Sequence, residues 1–147
     1  MMSDRKVTRV KLQANHADDL ALIGLVSSEP DYKLALILNR KLGLSLRNLP
    51  PVRIPGAGGT ELIFSRFSDS STPPEKAIIL VSNRSDSSFL IKKLRNVDFI
   101  LHISDPEDED LGSRMIAKLK EIQAITAIFR LEPAKIKDRN LDLIVPH

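Results

Sequence analysis

The sequence predicts an α+β domain in which a mainly antiparallel sheet carries two main helices. Two observations point there. Segments of strand-like alternation outnumber helical ones, and most neighbours are joined by turns too short for a crossover. Only two segments, one from Tyr32 to Leu42 and one after Asp105, combine helical apolar spacing with end signals. The chain has 147 residues, which suits a single domain over 1–147. A domain of that size can bury roughly two-thirds of the surface its unfolded form exposes.

Lys6 to Gln13 set Thr8, Val10 and Leu12 against Val7, Arg9, Lys11 and Gln13, the period of a half-buried strand. Leu20 to Val26 form an apolar run after turn-forming Asn15 to Asp19 and are read as a short helix. Pro30 fits a first helical position, with Ser28 or Glu29 as cap and Asp31 at the positive end of the dipole. Leu34 to Leu38 continue that helix, and Gly43 supplies a left-handed stop. Being apolar over most of its circumference, it is expected to be buried on more than one side, by the sheet and another element or by a partner chain.

Prolines and glycines from Pro50 to Gly59 mark a break, and Glu61 to Phe67 resume alternation, so a hairpin is expected. Ser68 to Pro74 read as a loop, Ala77 to Val81 as a strand, Asn83 to Ser87 as a turn, and Ser88 to Ile91 as a short apolar piece. Val97, Phe99, Leu101 and Ile103 give the next strand one fully apolar face. Ser104 or Asp105 caps the second helix, with Pro106 at its start and acids in its first turn. Leu111, Met115, Ile116, Leu119 and Ile122 form its apolar stripe. Ala124 to Leu131 make a last strand, and Pro133 to His147 a basic, extended tail. With one sheet and two helices, one sheet face is expected to stay polar or to meet a partner.

Composition excludes several chemistries. There is no Cys, which removes thiol nucleophiles, iron-sulfur clusters and disulfides. His16, His102 and His147 lie far apart, and no pair has the spacing of a zinc site. No cofactor or metal is implied. Gly56-Ala57-Gly58-Gly59 precedes a strand and lacks a Lys-Ser or Lys-Thr pair, so it reads as a hairpin loop rather than a phosphate loop. Asp105 to Asp110 cannot be an EF-hand, having Asp110 where Gly is needed and Ile116 where Glu is needed. No run of about 18 apolar residues suggests a membrane span, and no signal peptide is evident. A cytoplasmic address is the expectation.

Lysine plus arginine number 22 against 19 acids, a net charge of +3. The excess gathers at Lys76, Arg84, Lys92, Lys93 and Arg95, opposed between 76 and 100 only by Asp86 and Asp98. Arg84, Lys92, Lys93 and Arg95 are therefore candidate RNA contacts, able to track a phosphate backbone with a steep salt dependence. The simpler account is a charged turn that keeps strand edges soluble. Asp98 and His102 share one strand face by period two and form a candidate proton-transfer pair with Ser104, although a polar surface ladder is the simpler and favoured account.

Leu22, Ile23 and Gly24, then Asp31, Tyr32, Lys33, Leu34 and Asn39, then Asn83, then Val97, Asp98 and Phe99, and last Ala127 with Lys135, Ile136 and Lys137 resemble the bacterial IPExxVDY family, found mostly in Bacteroidetes. The resemblance spans about Leu20 to Val145. It departs at the naming motif, where Ile91, Lys92 and Lys93 stand for Ile-Pro-Glu and Phe99 for Tyr, so no role is carried to either lysine. The resemblance implies a fold class and a bacterial cytoplasmic setting, and no reaction. The expectation is a noncatalytic binding domain, acting as a homodimer or with a protein partner. An RNA-associated protein using the basic segment over 76–95 is the alternative, and an enzyme built on Asp98 and His102 the third reading.

Overall fold

The computed structural model describes residues 20–70, 76–105, 108 and 110–145. The strand expected over Lys6 to Gln13, and Pro106 at a helix start, lie outside them. The elements are β1 (Leu20–Val26), α1 (Asp31–Leu42), β2 (Leu46–Pro55), β3 (Glu61–Asp69), β4 (Ala77–Ser82), the two-residue strands β5 (Arg84–Ser85) and β6 (Ser88–Phe89), β7 (Phe99–Ser104), α2 (Leu111–Leu119), β8 (Ala127–Leu131) and α3 (Pro133–Ile136). Six strands form one sheet in the order β2-β3-β4-β7-β1-β8, with every neighbouring pair antiparallel. This is the expected α+β fold.

Leu20 to Val26 are a strand, not a helix. β1 lies between β7 and β8 and is buried on both faces. A strand covered on both sides carries no polar alternation, which is why its sequence reads as a bare apolar run. β2 likewise extends through the expected break. Leu49 pairs with Arg66 and Val52 with Phe64, so Pro50 and Pro51 oppose Ser65 in a bulge. β2 is an edge strand, where two residues without N–H groups leave no ladder bond unmade.

One sheet face carries both helices. α1 starts after Pro30, which accepts from Leu34 N–H at 2.9 Å, and ends at Gly43, whose φ of 68° is the left-handed conformation that glycine adopts without strain. Asn39 ties its end to β2: its Oδ1 accepts from Leu46 N–H at 2.7 Å and its Nδ2 donates to Leu46 O at 3.2 Å. α1 buries one stripe, Leu34, Ala35, Leu38 and Leu42, within this chain. Of the two expected possibilities, cover by a second element of this chain is not found over the rest of the helix: Tyr32 and Leu36 stay 62% and 53% exposed, beside exposed Lys33, Arg40 and Lys41. α2 begins at Leu111, later than expected, because Asp108 accepts from Asp110 N–H and pairs with Arg114 ahead of the helix. It packs closely on β1, and a Cβ on Gly112 would stand 2.7 Å from that of Ala21.

The other sheet face is neither polar nor open, contrary to expectation. Its residues Leu22, Val52, Phe64, Ile79, Val81 and Ile100 are buried under two segments. One is the 83–97 excursion, which contributes Leu90, Ile91 and Val97; the other is the C-terminal segment, which contributes Ile136 and Ile144. That segment is not extended. It folds into α3 and a 3-10 turn over Arg139–Leu143, so that its few apolar residues reach the sheet.

Two polar side chains pin these covers. Asn83 is fully buried; its Nδ2 donates to Leu94 O at 2.9 Å and Val97 O at 3.0 Å, and its Oδ1 accepts from Ile91 N–H at 2.8 Å. Its main chain also receives Leu90 N–H and donates to Asp98 O, both at 2.9 Å. Arg66, on β3, donates from Nε and Nη2 to Pro50 O at the bulge and from Nη1 to Leu143 O and Ile144 O, at 2.9 to 3.2 Å. Burial pulls the Arg66 guanidinium below its ordinary range, and the carbonyl acceptors are what make a desolvated cation tolerable. The covers are joined by Asn140, whose Nδ2 donates to Leu90 O at 2.8 Å.

Asn83→Ala leaves Ile91 N–H and the carbonyls of Leu94 and Val97 without their partner, and is expected to destabilise the fold by roughly 3–4 kcal/mol. Asn83→Asp, which keeps the acceptor and loses both donors, is expected to be at least as damaging. Urea unfolding checks both; a loss below about 1 kcal/mol in either variant contradicts the assigned role.

Candidate functional site

Where the two covers meet the tip of the β2–β3 hairpin, they enclose a groove of about 1120 Å³. Arg53 enters it from β2, Lys92 and Arg95 from the excursion, and Arg139 from the C-terminal 3-10 turn. Phe89 contributes an aromatic wall. Against four cations stands one lining carboxylate, Asp138, whose Oδ1 is already accepting from Asn140 N–H at 2.9 Å. Arg53 is held 2.9 Å from Glu61, with both side chains half exposed. Lys92, Arg95 and Arg139 are exposed and take part in no ion pair among the described residues. Such a concave, cation-lined wall attracts anions more strongly than isolated surface charges do, because low-dielectric sides focus the field.

The sequence candidates separate here. Lys92 and Arg95 line the groove. Lys93 is exposed but does not line it. Arg84 is spent locally: its Nη2 lies 3.0 Å from Asp98 Oδ1, and its guanidinium carbon lies 5.1 Å from the centre of the Phe89 ring. Lys76 lies at the other end of β4, 3.5 Å from the buried Asp105. Arg53 and Arg139, which sequence reasoning missed, arrive from positions far outside the excursion on either side, a convergence made by the antiparallel sheet and the folded C-terminus.

Asp98 and His102 do not form a pair. Asp98 lies before β7, where Oδ2 accepts from Ser27 N–H at 3.0 Å and Oδ1 holds Arg84. His102 sits four residues on, about 13 Å along an extended chain, in the middle of the sheet opposite Leu22 on β1 and Ile79 on β4. It is 91% buried and lines a second cavity of about 440 Å³ between the sheet and the C-terminal segment. Leu20, Leu22, Pro133, Leu141, Ile144 and Val145 supply its apolar walls, and the exposed Asp142 is its other titratable lining residue. His102 Nδ1 is enclosed and has no hydrogen-bond partner. Burial pushes the imidazole down to about 4, against a smaller upward pull from its own main chain, so the ring is neutral near pH 7.

Among the described residues, no group of three His, Asp or Glu side chains could hold a metal ion. No helix there is long and apolar enough to cross a membrane. No family model matches the chain, and no curated protein matches it.

The His102 environment makes stability depend on pH. In the unfolded chain an imidazole titrates near 6.5, so between about pH 6.5 and pH 4 the unfolded state binds a proton that the folded state refuses. Stability is full above that window and falls as pH drops through it. From about pH 7 to about pH 5 the wild type is expected to lose roughly 2 kcal/mol more than His102→Phe. Parallel unfolding curves for the two proteins across that range would rule out a neutral buried ring.

Proposed function

We propose that the chain is a noncatalytic binding domain of the bacterial cytoplasm, akin to the IPExxVDY proteins, and that it holds single-stranded RNA along the basic groove. The observation that carries the reading is the convergence of Lys92, Arg95 and Arg139, from two separate segments, on one concave wall with Phe89 beside them. A phosphate backbone needs a track of cations, and an aromatic face gives a base somewhere to stack. Duplex is a poorer fit, since no α-helix of the described residues lines the groove to enter a major groove. Catalysis has less support: Asp98 is occupied by Arg84 and Ser27, and His102 faces a different cavity.

A homodimer through α1 is the second reading, favoured by Tyr32 and Leu36, two exposed apolar side chains one turn apart on its outer surface. It does not conflict with RNA binding, because the groove and α1 lie on opposite faces of the sheet. Leu36→Glu, with light scattering as the readout, decides it: a dimer becomes a monomer, whereas a protein already monomeric removes the reading.

Fluorescence anisotropy with oligouridylate across a salt series tests the groove. Replacing Lys92, Arg95 and Arg139 together by Ala is expected to flatten the dependence of log affinity on log salt by about 2, near 0.7 per lost phosphate contact. The control with Arg40, Lys41 and Lys118 replaced, on the helical face, is expected to keep the wild-type slope. Equal loss in both triple variants, or no binding by the wild type at low salt, contradicts the proposal.

A further inference from the structure

The cavity under the C-terminal segment lies outside the groove reading and is independent of it. Its lining is apolar except at two points, the exposed Asp142 and the buried His102. A neutral imidazole carries one donor and one acceptor, and a buried one in native proteins ordinarily has partners for them. Here the enclosed Nδ1 of His102 has no hydrogen-bond partner among the described residues. Leaving such a group unpaired disfavours the fold, a cost that packing alone would not require of a position flanked by Leu22 and Ile79. We propose that this cavity is a binding site for a small, uncharged, mainly apolar molecule bearing a hydroxyl group, with the hydroxyl bonded to His102 and the apolar body against Leu22 and Ile144.

The chemistry of the walls selects that class. A volume of about 440 Å³ falls within the range of small-molecule sites. A hydroxyl both donates and accepts, so it serves either imidazole nitrogen in either tautomer, and the soft terminal torsion of His lets the ring turn the required edge toward the ligand. A carboxylate is disfavoured on two counts. The ring is uncharged near neutral pH, and the lining holds Asp142, an acid, rather than a cation. A fully apolar molecule would fill the volume and leave His102 as it is.

The test uses the full chain with 1-octanol and octanoate as matched probes at about pH 7.5, followed by long-range nitrogen spectra of the imidazoles and by calorimetry. Octanol is expected to shift the His102 ring nitrogens saturably, and octanoate to bind at least about tenfold more weakly. His102→Phe should weaken octanol about three- to tenfold, the range of one neutral hydrogen bond. Leu141→Trp, which fills the cavity from its partly exposed rim, should weaken it at least about tenfold. Octanoate binding as tightly as octanol, or octanol leaving the His102 nitrogens unmoved, overturns the proposal. So does octanol binding Leu141→Trp as it binds the wild type. If either variant fails to fold, the octanol and octanoate contrast in the wild type decides alone.

Discussion

The buried carboxamide of Asn83 is the interaction on which the second half of this structure depends. Residues 83–97 leave the sheet after β4 and return to it before β7, yet they are packed against the sheet rather than held out in water. An irregular segment that is buried must find partners for its main-chain groups without a ladder or a helix to supply them. One side chain provides three of those partners, to Ile91, Leu94 and Val97, and fixes the turn at both ends. Leu90 and Ile91 can then be fully buried while Lys92, Lys93 and Arg95 remain exposed beside them. Charge display and core formation are thus performed by adjacent residues of one loop.

Arg66 solves the same problem for the C-terminus. Ile144 lies on the sheet with its carbonyl bonded to the guanidinium, and the same cation secures the bulge at Pro50. A planar fork that reaches carbonyls in two separate segments suits arginine and no other side chain. Asn140 then links this cover to the excursion through Leu90. The groove is therefore bounded by segments that are fastened to each other as well as to the sheet, and its cations start from defined positions. Held in that way, they forfeit less freedom on meeting a polyanion than cations on a free tail would.

The fold was legible in the sequence at several elements that have one face in water. Alternation in Glu61 to Phe67, the Gly43 stop and the stripe through Met115 and Leu119 correspond to β3, the end of α1 and the buried side of α2. In β1 the pattern fails because burial on two sides erases the period, whereas β4 and β7, covered in the same way, are still read as strands. The C-terminal segment reads as extended for a different reason: its charges and Pro133 outweigh the spaced Ile136, Leu141 and Ile144, which are the available signal for packing. Of the groove's cations, only Lys92 and Arg95, close together in one loop, could be picked out. Arg53 and Arg139 join them through tertiary folding, which no local pattern encodes, and the His102 cavity exists only because the C-terminus closes over β7.

The excursion, its Asn83 anchor and the sheet form one cooperative unit, so that the groove is a permanent feature rather than an occasional one. Native-state hydrogen exchange of the Leu90 and Ile91 amides, both bonded to Asn83, tests this most directly. Both are expected to exchange with an opening free energy within about 1 kcal/mol of the slowest amides of β7, by global unfolding. Exchange through a local opening several kcal/mol lower, while β7 stays protected, would show that the cover detaches on its own and that the groove is not built into the fold.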